Sequence, residues 1–146
     1  MNDPILRQAT RADAAGLWRV RYAVTENTLT PGRIDDEELF DQIERTGRGW
    51  VVEEDGEIVA FAIGNASDGN IWALFVDPPA QGRGHGARLH DVMVGWLFAQ
   101  GLERLWLGTG NETRARAFYE KHGWREAGPY GERETRYELA RPGAQA

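Results

Sequence analysis

Three glycines at alternate positions, Gly82, Gly84 and Gly86, form the part of the sequence with the clearest capacity for chemistry, and Arg83 and Arg88 stand beside them. A glycine lets the backbone approach an anion closely. A helix that begins after the loop directs its free N–H groups and its positive dipole end to the same place. The pattern therefore predicts a phosphate or pyrophosphate site, since a turn that merely starts a helix needs neither the arginines nor the third glycine.

A nicotinamide dinucleotide is the alternative ligand, because Gly82, Gly84 and Ala87 also satisfy the loose fingerprint G-x-G-x-x-A. In the dinucleotide fold the first glycine follows the strand directly, whereas Asp77–Gln81 intervenes here. The acidic residue that should bind the ribose is also missing from the end of the next predicted strand, at Gly108. The fingerprint therefore makes a nicotinamide enzyme the weaker hypothesis.

Hydrophobic spacing places this loop between a strand and a helix. Ile71–Val76 is apolar on both faces, which indicates a central strand, and apolar residues recur at helical spacing from Leu89 to Leu97. The next strand, Leu102–Gly108, completes a β-α-β unit and should lie parallel to Ile71–Val76. The other predicted elements are helices at 10–24 and from Asp35 or Asp36 to Thr46, ended by Gly47 and Gly49, strands Trp50–Glu54 and Ile58–Ile63, a helix at 112–121, and strands Arg125–Ala127 and Thr135–Leu139.

Residue counts exclude several kinds of catalytic centre. The chain has no Cys, hence no disulfide framework, thiolate nucleophile or cysteine-based zinc site. Ser67 is the only serine and lies in a predicted turn, and Lys121 is the only lysine, so neither a serine-hydrolase elbow nor a P-loop is present. The histidines, His85, His90 and His122, lack the spacing and acidic neighbours of a metal site, so no metal is expected.

The charge balance and hydropathy bear on partners and location. There are 17 Lys and Arg against 23 Asp and Glu, a net charge of −6, which argues against nucleic acid as a partner. No apolar stretch approaches the roughly 20 residues that span a bilayer, so no membrane association is expected. The absence of Cys and of a signal segment predicts a cytoplasmic protein. Residues 1–146 are expected to form a single domain with a core from about 5 to 140; a homodimer is left open.

The glycine loop resembles the pyrophosphate motif of the Gcn5-related N-acetyltransferase (GNAT) superfamily. That motif is Q/R-x-x-G-x-G/A after a central strand and a proline, and Gln81-Gly82-Arg83-Gly84-His85-Gly86 matches it behind Val76-Asp77-Pro78. The family's second motif is an Asn followed by a helix with an aromatic pair and then Gly with an aromatic. Its matches here are Asn111, Phe118, Tyr119, Gly123 and Trp124. The order of predicted elements is also similar, so the resemblance covers nearly the whole chain.

The resemblance implies an α/β fold with a mixed, mostly antiparallel sheet, whose central parallel strand pair splays apart to admit acetyl-CoA and is flanked by helices. The backbones of Leu74 and Val76 would pair with the pantetheine arm, and the Val76 N–H would polarise the thioester carbonyl. Tyr119 would stand near the sulfur and donate to the departing thiolate. The implied catalytic residues are thus Val76 and Tyr119, and the implied cofactor-binding residues are Leu74, Val76, Gln81, Gly82, Arg83, Gly84, His85, Gly86, Ala87, Asn111 and Tyr119.

The activity that the resemblance implies is transfer of an acetyl group from acetyl-CoA to a primary amine by direct attack in a ternary complex. Such an amine must lose a proton before it attacks, so a base is required. Some members place a Glu at the start of the central strand, where this chain has Asp68 and Asn70; Glu26 is the alternative. A catalytically silent CoA-binding module that acts through a protein partner remains the rival hypothesis.

The acceptor is predicted to be a small amine or amino acid derivative, with Glu26, Arg21 and Trp72 as candidate substrate residues. Acidic residues at 26 and 35–38 would attract a cationic amine. Arginines at 19, 21 and 33 could instead bind the carboxylate of an amino acid or peptide end. Glu53 and Glu54 are interpreted as solvated surface charges.

Overall fold

The strands of the computed structural model form two antiparallel sheets, and the structure describes residues 3–24, 34–110 and 114–143. The described elements, in chain order, are β1 (Ile5–Gln8), α1 (Ala14–Ala23), α2 (Asp36–Glu44), β2 (Gly47–Glu54), β3 (Glu57–Asn65), β4 (Ile71–Val76), α3 (His85–Ala99), β5 (Arg104–Gly110), α4 (Arg114–Lys121), β6 (Arg125–Tyr130) and β7 (Glu134–Ala140). Short 3-10 turns at Arg11–Asp13 and Pro78–Ala80 precede α1 and the glycine loop.

The two sheets meet at one place. The first has the order β1-β2-β3-β4 and the second β5-β7-β6. Among the described residues a single parallel bridge joins them, between Asn70, just before β4, and Trp106 of β5. There the Trp106 N–H donates to the Gly69 carbonyl over 3.0 Å, and the Asn70 side chain donates to the Trp106 carbonyl over 3.3 Å. Beyond this bridge β4 and β5 are not hydrogen-bonded to each other, so β4 pairs with β3 alone along its length.

Strand alternation divides the core into two layers, one on each face of the first sheet. Val52, Ala60 and Ala62 face the layer that contains the buried side of α3, and Val51, Phe61 and Ile63 face the layer that contains α1 and α2. Successive side chains of a strand point to opposite faces of the sheet. Alternate residues of one continuous apolar strand are therefore buried in the two layers. The buried apolar and aromatic helical residues of these layers are Leu89, Met93, Leu97 and Tyr119 on one side and Leu17, Val20, Leu39 and Ile43 on the other.

The helix behind the glycine loop ends at the predicted glycine but begins earlier than predicted, at His85, so that Gly86 lies inside it. Gly84 is the N-cap of α3 and has a φ of 85°, and Gly101, after the C-cap Gln100, has a φ of 97°. Both values lie in the left-handed region that glycine adopts without steric cost. The apolar stripe from Leu89 to Leu97 is buried as its spacing requires.

Two local predictions were wrong. Gly47 and Gly49 do not end α2, which stops at Glu44; they belong to β2. A Cβ on Gly47 would lie 2.0 Å from the Gly64 carbonyl oxygen, so glycine permits a close strand approach there. The strand β1 was missed because Ile5–Gln8 carries only two apolar residues and lies at a sheet edge, where its backbone pairing with β2 holds it.

Candidate active site

The glycine loop forms a cradle whose concave side is open. Gly82 and Gly84 have φ values of 82° and 85°, and a Cβ built on either would have no protein atom within 4 Å. Glycine is therefore required here by the backbone conformation and not by crowding within the protein. A backbone that exposes its amides beside the N-terminus of the 15-residue helix α3 suits an anion.

A cavity of about 510 Å³ continues from this cradle along β4. It runs between the glycine loop and α4, with Phe118 and Lys121 on the α4 side. Nine of the predicted cofactor-binding residues line it: Leu74, Val76, Gln81, Gly82, Gly84, His85, Gly86, Ala87 and Tyr119. Of the two other predicted cofactor-binding residues, Arg83 does not line the cavity and Asn111 lies outside the described residues.

Side chains of the loop tie it to three neighbouring elements. The Gln81 amide donates to the Val76 carbonyl over 3.3 Å, and its oxygen accepts from the guanidinium of Arg114 at the start of α4. Arg83 pairs with Glu54 at the end of β2, with both carboxylate oxygens within 2.8 Å of Nη1. The interpretation of Glu54 as a solvated charge was therefore wrong, and the positive charge of Arg83 is largely compensated within the protein.

His85 lies under the loop with only 3% of its surface exposed. Its two ring nitrogens are buried and have no hydrogen-bond partner in the described part of the chain; the nearest carboxylate oxygen, on Glu54, is 3.7 Å from Nε2. Buried polar atoms without partners are rare in folded proteins and point to a site. Together with the open cradle and the extended cavity, this fits a long ligand with an anionic end, as predicted for CoA.

A second cavity, of about 1020 Å³, lies on the side of α1 and α2. Its walls include Trp18, Trp72, Phe75 and Tyr130. Four residues line both cavities, namely Leu74, Phe75, Ala115 and Tyr119. The two cavities therefore adjoin between β4 and α4.

Tyr119 stands at this junction and is 7% exposed. Its ring packs edge-on against Phe118 and Trp124, with centroids 5.3 and 5.5 Å away. Burial raises the pKa of the Tyr119 hydroxyl above its ordinary value of 10.0, because the charged phenolate would lose its hydration. The hydroxyl is therefore protonated at neutral pH and can act as a hydrogen-bond donor.

Two of the three predicted substrate residues, Arg21 and Trp72, line the second cavity, and Glu26 lies outside the described residues. The Arg21 guanidinium carbon stands 4.4 Å from the centre of the Phe75 ring. Burial lowers the pKa of this guanidinium by removing water from the charge. Trp72 is the extra residue of a bulge, since Ile63 faces Ala73 while Gly64 faces Ile71.

Three of the other charges expected on the acceptor side, Asp35, Asp36 and Arg19, form structural contacts, and Arg33 lies outside the described residues. Asp35 accepts from the Glu38 N–H as the N-cap of α2, and Asp36 accepts from the Trp18 indole over 2.7 Å. Arg19 pairs with Asp77 at 3.0 Å. None of these three side chains lines the second cavity, so the predicted acidic funnel at 35–38 is absent from its described walls.

Tyr130 and Glu134, in the β6–β7 hairpin, were not identified from the sequence, yet both line the second cavity. The only local signal for their position is Gly108, whose missing side chain leaves room for them on β5. A Cβ there would lie 2.4 Å from the Tyr130 ring.

One group of side chains in the described ranges has residue types suited to a metal ion: His90, Asp91 and His122. Both His90 nitrogens are already used, since Nδ1 lies 3.0 Å from the Asp91 carboxylate and Nε2 accepts from the Trp124 indole over 2.9 Å. The prediction that His90 has no acidic neighbour was wrong, because Asp91 contacts it. The bonding of His90 stabilises the packing of α3 against Trp124.

The sequence matches the Acetyltransferase (GNAT) family over residues 15–124. The chain belongs to this family. It is 41% identical over 81 residues to the mycothiol acetyltransferase of Beutenbergia cavernae, a match that covers 51% of this chain and 27% of the relative. The chain thus spans about a quarter of that relative's length.

Solved GNAT structures share the fold. The PaiA N-acetyltransferase of Thermoplasma acidophilum, in complex with coenzyme A, superposes with a TM-score of 0.82 at 15% identity, covering 96% of this chain and all of the other. The ribosomal-protein-S18-alanine N-acetyltransferase of Escherichia coli gives 0.75 at 20% identity, covering 94% and 92%. No helix in the described ranges is long and apolar enough to cross a membrane.

Proposed function

We propose that this GNAT protein transfers an acetyl group from acetyl-CoA to a primary amine by direct attack in a ternary complex. The observation that carries the proposal is that the two cavities adjoin at Leu74, Phe75, Ala115 and Tyr119. Two reactants that enter from opposite sides can approach each other only at such a junction. When both reactants are bound there, their reaction becomes effectively unimolecular, which lowers the entropic part of the activation barrier.

The first cavity would hold acetyl-CoA, which supplies the acetyl group as an activated thioester. Amides of the glycine loop would bind the pyrophosphate at the N-terminus of α3. The edge of β4 that faces away from β3 is open beyond Asn70, so backbone groups of Leu74 and Val76 would pair with the pantetheine arm. Asn111 is proposed to contact the same arm.

The reaction requires three operations by the protein. The amine loses a proton and its nitrogen bonds to the carbonyl carbon, the carbonyl oxygen gains negative charge, and the C–S bond then breaks. The Val76 N–H is proposed to donate to that oxygen, and the Tyr119 hydroxyl to the departing sulfur. Because burial raises the pKa of Tyr119, its role is to donate a hydrogen bond, which strengthens as charge develops on sulfur.

The acceptor is proposed to be a small amine or amino acid derivative, and the cytoplasm remains the proposed location. The similarity to a mycothiol acetyltransferase supports a small molecule, although it covers only 51% of this chain. The cavity of about 1020 Å³ with aromatic walls also has the size of a small-molecule site. Arg21 within it would bind a carboxylate if the acceptor carries one.

The test is release of free CoA from acetyl-CoA with a panel of small amines, amino acids and short peptides, with product masses measured. A thiol-trapping reagent reports CoA without background, because the chain contains no Cys. We expect release that depends on an amine and an acetylated small molecule among the products. Tight CoA binding without acetylation of any amine would favour the silent binding module, and exclusive labelling of peptides would contradict the small acceptor.

A further inference from the structure

The side chain of Glu134 lies over the backbone of β5 at Gly108. Glu134 is the first residue of β7 and pairs with Gly110 of β5 on one side and Tyr130 of β6 on the other. A Cβ built on Gly108 would lie 3.0 Å from the Glu134 carboxylate oxygen and 2.4 Å from the Tyr130 ring. Glycine at position 108 therefore leaves space into which a carboxylate and an aromatic ring fit together.

The surroundings of Glu134 differ from those of the carboxylates on this sheet and on the adjacent helix α4. Glu120 accepts from the Tyr137 hydroxyl, Glu126 pairs with Arg116, and Glu138 pairs with arginines 104 and 136. Within the described ranges the Glu134 carboxylate forms neither an ion pair nor a hydrogen bond, although it is half-buried and lines the second cavity. Glu132 and the arginines at 21 and 133 also line this cavity, but within the described ranges none of them pairs with Glu134. The carboxylate therefore has no direct counter-ion there, which favours a cationic ligand.

The neighbouring aromatic rings also suit a cation attached to an apolar group. Tyr130 lies beside the carboxylate, and Trp72 and Phe75 form walls of the same cavity. Aromatic faces attract an ammonium group and provide apolar contact for the body that bears it. Tyr119 lines the same cavity at its junction with the first, so an amine bound in this cavity lies on the path to the proposed thioester position.

We propose that Glu134 and Tyr130, seated over Gly108, form the subsite that binds the ammonium group of the acceptor, and that the acceptor is a primary amine on an apolar or aromatic body. This inference rests on the proposed function and names its substrate class. It places the negative charge that recognises the acceptor at Glu134 and not in the expected acidic funnel at 35–38. The contribution of Glu134 is charge recognition, so it must distinguish an amine from a neutral molecule of the same shape.

The first experiment measures binding, independently of acetyl transfer. Phenethylamine and its neutral counterpart phenethyl alcohol are titrated into the protein saturated with CoA, and the change in tryptophan fluorescence is followed. We expect the amine to bind about tenfold more tightly than the alcohol in the wild type, since a charge-assisted contact is lost in the alcohol. Glu134→Gln should abolish this preference.

Glu103→Gln is the matched control, because Glu103 is exposed, lines neither cavity and carries the same charge. It should retain the preference for the amine, so that a general effect of net charge is separated from a local one. Tyr130→Ala should weaken both ligands, and CoA-induced thermal stabilisation shows that each variant is folded. Equal affinity of the two probes in the wild type, or a preference that survives in Glu134→Gln, overturns the proposal.

Steady-state kinetics separate the subsite from the proposed reaction. With an amine that the wild type acetylates, Glu134→Gln should raise KM for the amine by about tenfold and leave KM for acetyl-CoA within twofold. An unchanged KM for the amine would refute the subsite while acetyl transfer stands. Charge-selective binding without transfer of an acetyl group to any amine would instead refute the proposed function while the subsite stands.

Discussion

At the scale of the residue, Tyr119 has the environment of a hydrogen-bond donor to sulfur. It lines both cavities, and burial raises its pKa so that it remains protonated throughout the neutral range. A hydroxyl less acidic than a thiol, whose ordinary pKa is about 8.5, does not transfer its proton to a thiolate without cost. Its contribution therefore comes from a hydrogen bond formed during C–S cleavage, and a neutral donor placed in advance is sufficient.

We predict that Tyr119→Phe lowers kcat by about 10²-fold while the Kd of acetyl-CoA changes by less than about threefold, because only the hydroxyl is removed and the ring packing is kept. Tyr22→Phe is the control, since Tyr22 is 41% exposed and lines neither cavity. The measurement is single-turnover kinetics with saturating amine. Unchanged rates under conditions where chemistry limits turnover would assign Tyr119 to the core alone.

The site residues differ in how far the sequence could predict them. Gln81, Gly84 and Tyr119 belong to motifs of consecutive or helically spaced residues, so local sequence is sufficient to place them. Glu134 reaches its position through the register of β7 against β5, which no local pattern shows, and the glycine at 108 is the only sequence signal for it. Contacts across strands of different hairpins depend on tertiary pairing.

At the scale of the element, α3 has a glycine in the left-handed conformation at each end, and the two glycines have different surroundings. Gly84 at its start and Gly101 after its end both have open space around a built Cβ, so an alanine at either meets the same kind of backbone strain. Only Gly84 lines the first cavity. Comparison of these two positions can therefore separate helix stability from ligand approach.

We predict that Gly84→Ala and Gly101→Ala each destabilise the fold by about 1–2 kcal/mol, the cost of a left-handed backbone for an L-residue with a side chain. Gly84→Ala should also raise the Kd of CoA by about tenfold or more, because its methyl group lies where the anion approaches the backbone. The measurements are denaturant unfolding and titration calorimetry. Equal CoA affinity of the two variants would exclude the loop from cofactor binding.

The link between α3 and the start of β6 depends on a neutral histidine. Burial lowers the pKa of His90, and the hydrogen bond to Asp91 opposes this effect only in part. Its Nε2 accepts from Trp124, so protonation of Nε2 removes that bond. In the unfolded chain His90 is protonated at about pH 6.5, whereas in the folded chain it is protonated only at lower pH. The stability that neutral His90 contributes is therefore present above about pH 6.5 and is lost as the pH falls below it.

We predict that the melting temperature decreases between pH 7 and pH 5, and that His90→Gln makes this decrease smaller. A glutamine carbonyl can still accept from the Trp124 indole but does not titrate in this range. The measurement is thermal unfolding at constant ionic strength across these pH values. A variant that shows the wild-type slope would contradict the role given to His90.

Element boundaries followed the sequence where hydrophobic periodicity is strong and departed from it elsewhere. The predicted strand Ile71–Val76 has the observed bounds, and α3 ends just before the predicted Gly101. The edge strand β1 is held by pairing with β2 and by Arg7, whose guanidinium donates to Asp13 and Glu53, and not by its own apolar content. Long-range pairing of this kind overrides weak local preference.

At the scale of the whole molecule, the two sheets are joined by little direct pairing. In the described part of the chain one parallel bridge joins them, between Asn70, just before β4, and Trp106 of β5, and α3 and α4 pack against the layer beside it. The proposed ligand would add backbone hydrogen bonds along β4 and contacts with α4 on the other side of the gap. Ligand binding should therefore stabilise the whole domain against unfolding.

We predict that acetyl-CoA and CoA raise the melting temperature by roughly 5–10 °C at a concentration of 100 Kd. At that concentration a ligand specific for the native state contributes about 2.7 kcal/mol, and 1 kcal/mol corresponds to roughly 2–4 °C in a domain of about this size. NADH and NADPH should give no shift, because the loop begins five residues after the strand and the acid that would bind their ribose is missing. 3′-Dephospho-CoA should still stabilise the protein, since the pyrophosphate and the pantetheine carry the proposed contacts. A shift with the nicotinamide nucleotides equal to that with CoA would contradict the assignment of the first cavity, whatever the outcome of the acetylation assay.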